Sequence, residues 1–440
     1  MIMDEKPTER QINNNNVGQT FVAEAEVGAP EPGLVTRTWA SFKRVFYSLK
    51  YRDYAILWLG GWFSNIGTWI QNVAIGWLVY KLTNSSVSLG IINFSSSIPV
   101  FFLSFYAGAV VDRFSKKWIV FWGNFVPMLF AFLLGFLVGA RKANMEVLVV
   151  LSFASGVAAA FAFPAWQSFI SELVPKKDLM NAIALNSVQF HASRLIGPAA
   201  AGFLVAELGL DWAFYINGIS FFAVLLALLL VKDGPTKVNE NKGWLREVRE
   251  GFAYLKRKPV LIWYMVMVAL IGVFGIAYLS TLMPIYAGNI LKVQAKEFGI
   301  LVSSNGFGGL LGALFVAWIS GRKRPEEIVR WSLPLSAAGL IFLSFTKNFY
   351  VAVLALFLMG AFFLATNSTL NTAIQSSVDH AYRGRVMSIF VWMFMGLSPF
   401  GALLGGFFGR LLGINGALAV AGLAALVLGM VALGKIKHAG

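Results

Sequence analysis

The sequence predicts an all-α membrane protein with 12 transmembrane helices in two six-helix pseudo-symmetric halves and both termini cytoplasmic. Three observations predict it. Of 440 residues 58% are hydrophobic and only 13% charged, too little polar cover for a soluble domain. The apolar residues fall in twelve runs of roughly 17 to 28 residues, each able to cross a hydrocarbon core about 30 Å thick. Third, 28 of the 36 Lys and Arg lie on the side of the bundle that would hold both termini, which the positive-inside rule makes the cytoplasmic side.

The runs lie near 54–80, 87–111, 118–140, 146–171, 180–206, 212–231, 260–287, 298–320, 329–346, 349–374, 385–409 and 412–433. Barrel strands would be about ten residues long with alternating polarity, so helices are the reading. Residues 1–36 are polar and aperiodic, with an Asn run at Asn13–Asn16, and are expected to form a disordered cytoplasmic tail without a cleavable signal peptide. Residues 37–231 form the N-terminal half. Residues 232–259 form a basic cytoplasmic linker, 260–434 the C-terminal half and 435–440 a short cytoplasmic tail. In the linker Trp244, Val248, Phe252 and Leu255 share one helical face, which predicts a helix lying in the membrane interface. Trp39, Phe42, Phe46 and Leu49 predict a similar short helix before the first span.

The two halves echo one another. LVPKKDLMNAIALNSVQFHASRLIGPAAAGFLV and SVDHAYRGRVMSIFVWMFMGLSPFGALLGGFFG each run from a charged loop into a helix, a Pro and a glycine-rich end. Duplicated halves are a carrier plan, with a site between them near the midplane.

Polar residues inside spans mark where a cavity would be. Asn65, Thr68 and Asn72 share a face of the first span. Gln167 follows Pro164 in the fourth, Tyr278 and Thr281 precede Pro284 in the seventh, and Asn367 and Asn371 align in the tenth. All 21 Asp and Glu lie in tails, loops or span ends, so His191 and Arg194 are the only ionisable groups deep in a span. An Arg at mid-depth costs on the order of 3 kcal/mol even on the gentler insertion scale. Two roles stand open for Arg194: bonding to exposed carbonyls, such as those freed near Pro198, or to a buried Gln, or serving as an anion-attracting centre. The second favours an amphipathic substrate with an acidic or phenolic group over a simple cation.

The loop AGAVVDRFSKKW packs Asp112, Arg113, Lys116 and Lys117 between two spans. Its form, Gly108-x-x-x-Asp112-Arg113-x-x-Lys116-Lys117, resembles the loop motif of the major facilitator superfamily. With SNIGTWIQNVAIGWLVYKLTNSSVSLG, RLIGPAAAG and RGRVMS it resembles the transmembrane secretion effector branch, similar to bacterial enterobactin exporters and macrolide efflux proteins, over roughly residues 50–435. The resemblance implies the superfamily fold and a central path lined by the first, fourth, seventh and tenth helices. It implies a monomer in a bacterial cytoplasmic (inner) membrane, exporting a small-molecule substrate such as a siderophore or macrolide, with protons as coupling ion. It also implies a latch at Gly108, Asp112 and Arg113, with Glu172 expected as the partner of Arg113 and Gly108 expected to admit a close neighbour. Gly197, Pro198 and Gly202 resemble an antiporter helix motif, whose physical content is a kinked helix with a small-residue face. Gly67 is followed by Thr68 where many relatives carry Asp, which weakens transfer of a proton carrier to that position.

The charge distribution argues against a nucleic-acid partner. No nucleotide-binding loop, paired carboxylates or His-Glu-x-x-His helix is present, so neither a pump driven by ATP nor an enzyme is expected. No cofactor or metal is expected, since cysteine is absent and only three histidines occur. An importer or lysophospholipid flippase on the same fold, and a membrane receptor that transports nothing, stand as alternatives.

Overall fold

The computed structural model describes residues 46–233, 244–320 and 322–439. The expected tail over residues 1–36, Trp39 and Phe42 lie outside them. A 3-10 turn, Tyr47–Lys50, leads into the first long helix. The N bundle consists of α1 (Arg52–Thr83), α2 (Ser86–Arg113), α3 (Lys116–Gly139), α4 (Met145–Leu173), α5 (Leu179–Glu207) and α6 (Leu210–Leu230). The linker helix is α7 (Trp244–Arg257). The C bundle contains α8 (Pro259–Ile271) and α9 (Tyr278–Ile285), joined by a π-helical stretch at Gly272–Ala277 and followed by another at Tyr286–Ile290. It continues with α10 (Ala295–Ile319), α11 (Pro325–Phe345), α12 (Phe349–Ser377), α13 (Arg383–Val391), a π-helical stretch at Trp392–Gly396, and α14 (Ser398–Ala439).

Among the described residues nine helical stretches are long and apolar enough to cross a membrane. The last, Arg383–Ile436, has 54 residues and would be about 80 Å long if straight, well beyond one crossing. Gly413 breaks it with φ +71°, a conformation glycine adopts without steric cost. Helices α1 and α5, with 32 and 29 residues, fall outside the nine although both are long. They carry Asn65, Thr68, Gln71 and Asn72, and Asn186, Gln189, His191 and Arg194, and those polar residues lower their hydropathy.

The loops carrying most of the Lys and Arg, around residues 114, 176, 258, 323 and 381, lie at one end of the bundle, here the basic end. Asn84, Lys142, Lys292 and Asn348 mark the opposite end. At the basic end the turn before α1 is anchored to the start of α5. The Ser48 amide donates to Asn181 Oδ1 at 2.9 Å, and Tyr51 donates to Asp178. That bond from Tyr51, and then Lys50 at 3.2 Å, holds the Asp178 carboxyl below the usual carboxylate range.

The linker segment forms a helix whose inner face packs on protein. Tyr254 and Leu255 are buried, and Tyr254 stacks on Tyr382 with ring centroids 4.5 Å apart. Glu250 pairs with Arg385 at 3.2 Å. Arg246, Arg249, Lys256 and Arg257 remain exposed on the outer face. The helix is therefore docked against α13 on that face.

Candidate functional site

The two bundles meet most tightly where α5 crosses α10. A Cβ on Gly299 would lie 2.4 Å from Pro198 O, and one on Gly202 would lie 2.8 Å from Ala295 O. No side chain fits there, so backbone meets backbone as in small-residue helix crossings. The Ser303 hydroxyl donates across the same crossing to Leu195 O at 2.7 Å.

One turn below, Arg194 reaches from α5 to α10. Its Nη2 donates to Asn305 Oδ1 at 2.8 Å, and its guanidinium sits 5.9 Å from the Trp69 ring centroid. Asn305 is itself fixed, because its Nδ2 donates to Leu356 O on α12 at 3.1 Å. Arg194 thus lies on the wall of a cavity of about 340 Å³ between the bundles. Asn72, Asn93, Ser96, Ser152, Asn305 and Ser336 supply polar atoms to that wall, and residues such as Trp69, Phe298, Met283 and Phe363 make it largely apolar. Among the described residues no Asp or Glu lines it. A guanidinium with one donor bound to a neutral amide keeps its full positive charge and further donors for a ligand. Chemically the cavity can hold an apolar body and pair one acidic group.

Of the ten residues the sequence offered for a cavity, Asn72 and Arg194 line this one. Asn65, Asn367 and Asn371 are half-buried and Gln167 is exposed; all four lie off this wall. Asn371 instead takes a hydrogen bond from Gln375. Thr68 donates to Ser64 O in its own helix. His191 is half-buried beside Phe190 and does not reach the wall. Tyr278 is a correction: it is fully buried, and its hydroxyl donates to Ala417 O at 2.9 Å, which ties α9 to α14. Thr281 is fully buried behind the wall and accepts from Asn93 Nδ2 at 3.1 Å. Thr281→Val should free the Asn93 amide and raise the KM for transport about 2- to 13-fold, the range of one net hydrogen bond. An unchanged KM would show that Asn93 does not meet substrate.

The latch residues are also rearranged. Glu172 pairs with Lys116 at 2.6 Å in place of the expected Arg113, because Lys116 opens α3, which packs on α4. A Cβ on Gly108 would meet nothing within 4 Å, so it does not serve a close approach; with Asp112 it faces a second, wider cleft. Gly197 does meet a neighbour, since its Cβ would lie 2.4 Å from Trp69 Cβ. Sequence reasoning missed Asn93 and Asn305, though each is an amide set in an apolar run (IINFSSS, SSNGFGG), the signal that flagged Asn72.

The family model described as transmembrane secretion effector matches residues 44–438. The chain belongs to that family, a branch of the major facilitator superfamily. It is accordingly a multi-pass membrane transporter and not an enzyme. It is 24% identical to the staphyloferrin A transporter of Staphylococcus aureus over 83% of this chain and 92% of that one. It is 21% identical to macrolide efflux protein A of Streptococcus pyogenes, over 82% and 90% of the two chains. The enterobactin exporter of Shigella flexneri is also 21% identical, over 85% and 89%. Among solved structures, a nucleoside transporter superposes with TM-score 0.69 at 15% identity, covering 88% of this chain and all of that one. A bacterial homologue of the iron transporter ferroportin superposes with TM-score 0.67 at 18% identity, covering 88% and 98%. These likenesses establish the fold.

Proposed function

We propose that this transporter is a secondary active exporter of a small amphipathic organic molecule with an acidic group, working by alternating access with proton antiport. The observation that carries the reading is Arg194, among the described residues the one charged side chain on the central cavity wall, held by Asn305 across the two bundles. Relatives whose names specify a siderophore or a macrolide support an organic cargo and outward transport. At about 340 Å³ the cavity lies at the small end of ligand pockets. It would enclose a small carboxylate outright, and only the charged part of a larger molecule until the bundles part further.

Alternating access needs two ends that close in turn. At the opposite end the bundles are joined: Tyr80 donates to Asn289 Oδ1 at 3.0 Å, and Asn289 Nδ2 donates to Asn84 Oδ1 at 2.8 Å. Trp77 stacks on Phe298 at 5.3 Å beneath them. At the basic end a cleft of about 900 Å³ separates α2 and α4 from α13. With the basic end in the cytoplasm, as the Lys and Arg distribution implies, this arrangement is the loading state of an exporter.

Everted vesicles test the reading. A labelled panel of aromatic carboxylates and matched neutral amides should show carboxylate accumulation driven by an inward-acid gradient and abolished by a protonophore. Accumulation only in right-side-out vesicles would make the chain an importer. No flux for any panel member would leave a membrane receptor.

A further inference from the structure

The 900 Å³ cleft at the basic end is distinct from the central cavity in both direction and charge. Four of its residues, Val100, Ser104, Gly108 and Asp112, continue a spacing of four along α2 from Ser96 on the central wall. Such a row turns about 40° per step around a straight helix, hence about 160° from Ser96 to Asp112. The cleft therefore lies on a different side of α2 from the central cavity.

Its electrostatics differ from the central cavity's, because a carboxylate is among its lining groups. Two charged side chains among the described residues line it, Asp112 and Arg385. Arg385 is engaged away from Asp112: it pairs at 3.2 Å with Glu250, which also holds Arg246 at 2.8 Å, and it lies 5.4 Å from the Tyr382 ring centroid. Asp112 is exposed and has no ion-pair or hydrogen-bond partner among the described residues. The walls are apolar and adaptable, with Phe163, Met387, Trp392 and Met395. Trp392 is held as a wall, since its Nε1 donates to Phe101 O at 3.2 Å and its ring lies 5.1 Å from the Phe101 ring. Ser104 Oγ, also on the cleft, is sealed from solvent without a hydrogen-bond partner.

We propose that this cleft is a binding site for lipophilic monocations, with Asp112 as counter-charge and Trp392 as the aromatic face. An occupant there holds α2 and α13 apart, so it slows the transport cycle without competing for Arg194. This proposal goes beyond the exported anion and does not depend on it.

The chain has no cysteine, so single-cysteine probes are clean. A Cβ on Gly384, which lines the cleft, meets nothing within 4 Å and tolerates the substitution. Purified Gly384→Cys protein in a non-ionic detergent is labelled with a maleimide in the presence of tetraphenylphosphonium. Labelling should slow at least fivefold, with no change at the exposed control Lys347→Cys. Asp112→Asn should abolish the protection, Asp112→Glu should restore it, and Ser104→Phe, which fills the cleft without touching the charge, should also abolish it. Arg194→Ala should leave the protection intact. Absence of protection at saturating cation would overturn the proposal. Protection that survives both Asp112→Asn and Ser104→Phe, or that is lost in Arg194→Ala, would place the cation elsewhere and overturn it equally.

Discussion

Arg194→Ala should lower kcat/KM for an anionic substrate roughly 10- to 150-fold, the range of a charge-assisted hydrogen bond of about 1.5 to 3 kcal/mol. The loss for a neutral analogue of the same size should be several-fold smaller. The two effects separate because Arg194 does two things. It supplies the only charge that the described residues place on the cavity wall, and it satisfies Asn305 Oδ1, which helps join α5 to α10 and α12. Removing the charge penalises only an anion, whereas orphaning Asn305 penalises every substrate alike. Arg194→Lys keeps the charge but loses the planar fork, and should recover part of the anion selectivity. Equal losses for anionic and neutral substrates would assign Arg194 a purely structural role. The measurement is initial flux in vesicles at matched protein content.

The same residue shows how far the sequence carries. Arg194 was legible because a guanidinium in an apolar run is costly enough to demand a reason. Asn93 and Asn305 were not, because a single amide between apolar neighbours fits helix-to-helix bonding equally well, and only the packing shows which way it points. Tyr278 and Thr281 stand out in the sequence as polar residues before Pro284 in the seventh span, which does not say which way they face. The π-helical stretch at Gly272–Ala277 precedes them. An extra residue in a turn rotates the following face by about 100°. The two side chains accordingly end up buried behind the wall, and Gly275 and Ser280 line it instead. The choice between Arg113 and Lys116 for Glu172 turned on two loop residues, Phe114 and Ser115, whose path the sequence does not dictate. The apolar runs themselves were plain, because membrane crossing imposes a length and a polarity that side-chain detail cannot disguise.

Gly299→Leu and Gly202→Leu should each reduce flux roughly 5- to 150-fold while leaving insertion and expression near the parent level. A Cβ on Gly299 would lie 2.4 Å from Pro198 O and 2.8 Å from Gly202 Cα, contacts with backbone that no rotamer change relieves. Overpacking of this kind costs about 1 to 3 kcal/mol. Because the contact joins two bundles that are each packed internally, that cost falls on closure of the opposite end and leaves each bundle's folding largely untouched. The arrangement described here should therefore lose population to one open at the Asn84 end, by the same factor as the energy implies. Met283 lines the central cavity, so Met283→Cys reports on access to it. In the parent background a membrane-impermeant maleimide added at the Asn84 end should label it slowly; in the Gly299→Leu background it should label it at least tenfold faster. Gly434→Leu, where a Cβ meets nothing within 4 Å, is the control and should match the parent in both flux and labelling. Loss of flux with unchanged labelling would mean that the α5–α10 crossing does not govern closure of that end.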